Sequence, residues 1–167
     1  MKKRLLMALL IFIIGVSNVR AITLKPTGPT SGKNGDNVIF YITLTRTNSE
    51  PTVSGIGGNI IYDHDVFEFV SSEGLISNWN DLGASLSGSS NSFSYGDYSA
   101  QSLITSTSAN CIKVVLKVKN NANYGNTTLT INTEQATDAN SDDIDNITIV
   151  PLTFRVLSSV NSLSNIT

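Results

Sequence analysis

A single cysteine, Cys111, stands among the 167 residues, so no intrachain disulfide can form and no cysteine-based zinc site can be assembled. Only one histidine is present, and a Ser–His–Asp arrangement would have to be built on His64, which lies between two aspartates with no nucleophile elbow. No glycine-rich phosphate loop precedes a helical segment. Charge is also scarce: 14% of residues are Asp, Glu, Lys or Arg, against roughly a quarter in ordinary soluble domains. Ser, Thr and Asn take their place, a composition suited to strands and turns rather than solvated helices. A multi-domain enzyme is excluded by length.

The only long apolar run, residues 5–16, follows Lys2, Lys3 and Arg4 and is succeeded by Ser17, Asn18, Val19, Arg20 and Ala21. That order predicts a secretory signal peptide over 1–21, because twelve apolar residues fall short of the roughly 20 a helix needs to cross a bilayer. Removing it leaves seven basic against thirteen acidic side chains, a net charge of −6, which disfavours nucleic acid and anionic lipid as partners. No membrane insertion is expected after cleavage. The polar stretch 158–167 reads as a linker or truncated tail.

Between the ends, apolar residues recur with period two. Val38, Phe40, Ile42 and Leu44 share one side of a strand over 37–46, and Ile112, Val114, Leu116 and Val118 share one side of another over 111–118, with Cys111, Lys113, Val115 and Lys117 on the wetter side. Further strands are predicted at 22–25, 56–62, 67–70, 82–86, 93–95, 103–106, 127–132 and 147–156, separated by Gly-, Ser-, Asn- or Asp-rich turns. The fold class read from this pattern is an all-β, nine-stranded antiparallel β-sandwich with jelly-roll topology over 22–157.

Two separated blocks resemble the cohesin family. The first is Gly35-Asp36-Asn37-Val38 leading a long strand, then Gly55 to Val70 with Tyr62-Asp63-His64-Asp65-Val66-Phe67-Glu68-Phe69 at its end. The second runs from Ile112 to Lys119, then Gly125, Leu129-Thr130-Ile131 and Ala136 to Asn140. His64 stands where the family commonly has Pro. The resemblance implies a noncatalytic, extracellular module that binds a dockerin domain through one sheet face with a hydrophobic centre and a polar rim. Alternation over 56–62 turns Gly58, Ile60 and Tyr62 inward and Gly57, Asn59 and Ile61 outward, so the resemblance makes the outward three the candidate partner contacts. Gly57 lacks the polar side chain that many cohesins place near there.

Other chemistry has candidates of its own. Exposed aromatic rings stack on sugars, which nominates Trp79, Tyr95, Tyr98 and Tyr124 for a carbohydrate-binding alternative, although each also reads as a core or edge residue. Asp138, Asn140, Asp142 and Asp145 space oxygen ligands as a calcium loop begins, but Asp143 replaces the needed Gly and no later bidentate Glu follows, so a polar hairpin turn competes with calcium. No cofactor is required by either reading. Glu68, Glu73 and Glu134 supply carboxylates without a recognisable catalytic setting. Three classes therefore stay open: a dockerin-binding module, a carbohydrate-binding module, and a structural spacer in a surface adhesin.

Overall fold

The computed structural model of the protein describes residues 21–81, 92–97, 99 and 101–158. All but the last residue of the leader, the predicted strand at 82–86, Tyr98 and all but the first residue of the tail lie outside them. The described residues contain no helix and eleven strands: β1 (Ala21–Thr27), β2 (Ser31–Lys33), β3 (Asn37–Thr45), β4 (Val53–Ile61), β5 (Phe67–Gly74), β6 (Asn80–Asp81), β7 (Ser92–Gly96), β8 (Ser108–Val118), β9 (Gly125–Asp138), β10 (Asn146–Ile149) and β11 (Leu152–Leu157). They form a sandwich of a five-stranded sheet, ordered β10-β1-β3-β8-β5, and a six-stranded sheet, ordered β2-β11-β9-β4-β7-β6.

Pairing is antiparallel except where β1 meets β10 and β11 meets β2. The predicted strand 147–156 is split because Pro151 has no N–H to donate. On one side of it β10 joins the first sheet, and on the other β11 joins the second. The predicted strand 103–106 is reduced to one isolated bridge, Val53 to Ile104. Short β2 and β6 have too few residues to show alternation.

The long strands pack as their alternation demands. Val38, Phe40, Ile42 and Leu44 are buried, as are Ile112, Val114, Leu116 and Val118. Phe40 of β3 meets Phe154 of β11 at 5.8 Å between centroids, Phe67 of β5 meets Phe154 at 5.2 Å, and all three contacts within this trio are edge-on. The two short sequence blocks at the strand ends also have local causes. Gly35 sits at φ +89°, a backbone only glycine adopts without strain, while the Asp36 carboxylate accepts the Lys33 amide at 2.8 Å. Asp63 accepts the Asp65 amide on its side chain and the Val66 and Phe67 amides on its carbonyl, which turns the chain from β4 into β5.

Four β-bulges break strict alternation, in the ladders β3·β8, β4·β9 (twice) and β5·β8. In the first, Ile42 faces Ile112 and Thr43 faces Asn110, so Cys111 has no partner across the ladder. It is fully buried, not on the wetter side as period two predicts. In β5 the extra residue is Val70, which is exposed. In β4·β9 the register moves between Gly57 and Gly58, and β9 carries the additional residue.

At Gly58 the two backbones approach so closely that a Cβ would overlap the Asn132 carbonyl oxygen and lie 2.8 Å from Thr133 Cα. Gly58→Ala should therefore cost about 3 kcal/mol or more, read from urea denaturation; an unchanged midpoint would contradict the close approach. Buried Arg46 donates to the carbonyls of Pro51 at 2.9 Å, Thr105 at 2.6 Å and Glu50. Arg46→Met is expected to lose about 3 kcal/mol, since three partly buried carbonyls lose a charged donor.

Burial pushes the Cys111 thiol up to about 12. Its folded pKa exceeds the unfolded value of roughly 8.5, so the associated stability is complete below that pH and is lost as pH rises towards 12. Between pH 9 and 11 stability should fall by up to about 1.4 kcal/mol per pH unit through this group, and Cys111→Ala should flatten that slope. Tyr62 and Tyr95, also raised by burial, add to the loss above pH 10. In the native protein Cys111 should resist a disulfide-exchange reagent that modifies it at once in denaturant.

Candidate functional site

The outer face of the six-stranded sheet is set by the inner one, because burying Ile56, Gly58, Ile60 and Tyr62 leaves Gly55, Gly57, Asn59 and Ile61 to point away. Ile61 is 47% exposed and lies opposite Thr130 of β9. Asn59 sits between Asn132 of β9 and Ser92 of β7, and Gly57 between Gln135 and Ser94. The three predicted contacts thus fall in one column along the centre of this face, surrounded by neutral polar side chains. Gln135 joins them only because of the bulge: three positions after Asn132, it would otherwise point inward. Period-two reasoning could not find it, and an unpaired extra residue leaves no sequence signal.

Beside Gly57 the face dips into a cleft of about 230 Å³, with Gly55, Gly57 and Gly96 among its lining residues. Asp97 lies at one end and is almost wholly buried. Its carboxylate accepts the Ser99 hydroxyl and the amides of Ser99, Gln101 and Ser102. The Ser99 hydroxyl, with these amides behind it, holds the carboxyl below its ordinary value of 3.8, so Asp97 is ionised at neutral pH and its contribution to stability is lost as pH falls through the acid range.

The candidate sugar-binding rings are placed differently. Trp79 is 6% exposed and donates its indole N–H to the Ser102 carbonyl at 2.8 Å, and Tyr95 is 4% exposed, with its hydroxyl 3.2 Å from that of Ser72. A ring packed on both faces has none to lay against a pyranose, so these two are core residues and the carbohydrate-contact expectation is corrected for them. Tyr124 is exposed, and Tyr98 lies outside the described residues.

The stretch 138–145 is a closed turn. The Asp138 carboxylate accepts the amides of Asn140 at 2.7 Å and Asp142 at 3.1 Å, Ser141 adopts φ +66°, and Gln135 donates to Asp143 at 3.1 Å. Among the described residues no three His, Cys, Asp or Glu side chains converge as metal ligands. Asp138 Oδ1 is thus turned to its own backbone, and Asp138, Asn140, Asp142 and Asp145 all lie in or beside this polar turn. His64 is exposed beside Tyr62, ring centroids 4.6 Å apart. On the opposite sheet Glu73 pairs with Lys113 at 3.3 Å and Glu68 lies across from Lys117. These carboxylates serve cross-strand charge pairing.

The cohesin-domain family profile matches residues 22–156. No curated protein matches by sequence. Among solved structures, the chain is similar to the cohesin CaCohA2 from Clostridium acetobutylicum, with 22% identity and a TM-score of 0.67 over 84% of this chain and 93% of that one. It is similar to the seventh ScaB type I cohesin from Pseudobacteroides cellulosolvens, with 16% identity and a TM-score of 0.65 over 86% and 98%. A third is the third cohesin of ScaC from Acetivibrio cellulolyticus, solved in complex with the ScaB dockerin, with 18% identity and a TM-score of 0.66 over 82% and 99%. At these identities the structures speak for the fold, while the profile covers most of the chain: the protein belongs to the cohesin family.

Proposed function

We propose that this chain is a noncatalytic, secreted module that recruits dockerin-bearing partners into an extracellular assembly that degrades or adheres to polysaccharide. The observation that carries the reading is the outward column of Gly57, Asn59 and Ile61, on one sheet face in a chain of the cohesin family. An exposed branched aliphatic side chain amid Asn, Thr, Ser and Gln has the make-up of a small interface with an apolar contact and a polar rim. Secretion is supported by the basic, apolar and small-residue order of 1–21. The burial of Trp79 and Tyr95 removes two of the four rings on which a polysaccharide reading would rest.

Immobilised full chain, probed with a broad panel of dockerin modules, is expected to show saturable binding that Asn59→Ala or Ile61→Asp weakens at least tenfold while the melting temperature stays within a few degrees. Absence of binding across the panel would overturn the reading, and retardation of the chain in polysaccharide-containing gels would favour the carbohydrate-binding class instead.

A further inference from the structure

We propose that the glycine-lined cleft on the outer face of the six-stranded sheet is a subsite for a long basic side chain, lysine or arginine, of the protein partner. This rests on the dockerin-binding reading above and concerns how that partner is held.

The first observation is that the fold does not require the glycine at position 57. A Cβ built there would lie 3.4 Å from Ser94 Oγ and 3.5 Å from the Phe93 carbonyl, ordinary van der Waals distances, and the backbone is not left-handed. Its neighbour Gly58 is different, since a Cβ there collides with β9. A mid-strand glycine gives up side-chain packing and costs roughly 0.5–1 kcal/mol relative to Ala. At Gly58 the close approach explains that cost. At Gly57 nothing inside the protein does, and what the missing side chain creates is open space on the surface. Gly55 pairs directly with Gly96, one row along, so the space continues as a trough.

The second observation is charge. Asp97 closes one end of the trough, ionised and surrounded by neutral donors that leave its negative charge uncompensated. Its acceptor sites are filled, so it acts on an occupant through its field. Ser141, from the aspartate-bearing turn that also holds exposed Asp142 and Asp143, reaches the same end. Among the described residues no lysine or arginine lines the trough. Lys25, Lys113 and Lys117 belong to the other sheet, Arg46 is committed to carbonyls, and Lys33 of β2 and Arg155 of β11 lie on the far side of β9 from the trough between β4 and β7. Successive outward residues of a strand are about 7 Å apart, close to the reach of an extended lysine or arginine. The apolar stem would lie over Gly57 and Gly55, and the head group would meet Ser141 and the Thr137 hydroxyl under the field of Asp97.

The test uses the full chain and the dockerin that binds it best in the panel. Gly57→Val, which fills the trough, should weaken binding at least tenfold without lowering the melting temperature, and Gly57→Ala should give a smaller loss of about threefold. Each lysine and arginine of the dockerin is then replaced by alanine. One of them should weaken binding to the native chain about tenfold yet have little further effect on Gly57→Val. Binding by both Gly57 variants within twofold of the native chain, or additive losses for every basic residue, would overturn the proposal while leaving the dockerin reading intact. A native chain that binds no dockerin would sink both, which separates the two failures.

Discussion

The edge-on contacts of Phe40, Phe67 and Phe154 join the two sheets, with Phe40 and Phe67 offered by one and Phe154 by the other. Each such pair contributes about 0.5–1.5 kcal/mol beyond the area it buries. In a chain with one cysteine, already buried, cohesion between the sheets has to come from contacts of this kind. Their consequence extends beyond stability. A strand that places Phe40 inward must place Ile39 and Tyr41 outward, and a one-residue slip would carry the whole apolar set into water. The inner packing therefore dictates what the outer faces present, and the column of Gly57, Asn59 and Ile61 is the reverse side of Ile56, Gly58, Ile60 and Tyr62.

The same logic explains which parts were legible in the sequence. β3, β4 and β8 each have one buried and one wetter face, and period two marked them to within a few residues. The outward trio followed from that alone. Bulges were not legible, because an inserted residue is recognised by what its partner strand does. Cys111 was assigned to the wetter side and is buried, and Gln135 escaped notice although it borders the central column. The split of 147–156 had a signal in Pro151, but the apolar run across it outweighed the missing donor, and period two does not say which sheet a residue joins. Trp79 and Tyr95 show the opposite limit: aromatic composition offers a stacking surface only if tertiary packing leaves a face open, and here the Ser102 carbonyl and Ser72 hydroxyl receive their polar ends inside.

The two outer faces differ in electrostatic character. On the five-stranded sheet Tyr41, Lys113 and Glu73 lie in one row and Asn37, Lys117 and Glu68 in another, with Ile39 and Val115 between them. Opposite charges there face each other across neighbouring strands, so the surface compensates itself. The six-stranded face has hydroxyls, amides and glycines around β4 instead, short groups that leave backbone and Ile61 accessible. A partner meeting the first face must displace existing ion pairs. Meeting the second, it displaces water.

Access is of use only if the rim holds still, and the segment following β7 lacks the ladder that would ordinarily hold it. The bridge between Val53 and Ile104 and the Asp97 amide, which donates to the Ser54 carbonyl at 2.9 Å, tie it to β4. Two buried charges of opposite sign supply further restraint. Asp97 gathers the amides of Ser99, Gln101 and Ser102, while Arg46 binds the Thr105 carbonyl together with those of Glu50 and Pro51. Neither needs the other as a counter-ion, because each is solvated by the backbone dipoles it orders. Charged hydrogen bonds are stronger than neutral ones, so a few of them fix several loop residues whose sequence is too polar to bury. Asp97 is at once a fastener of this loop and the end wall of the trough. The ordering that holds the loop therefore also prepares the cleft, and a partner entering it would spend little of its binding free energy on arranging the protein.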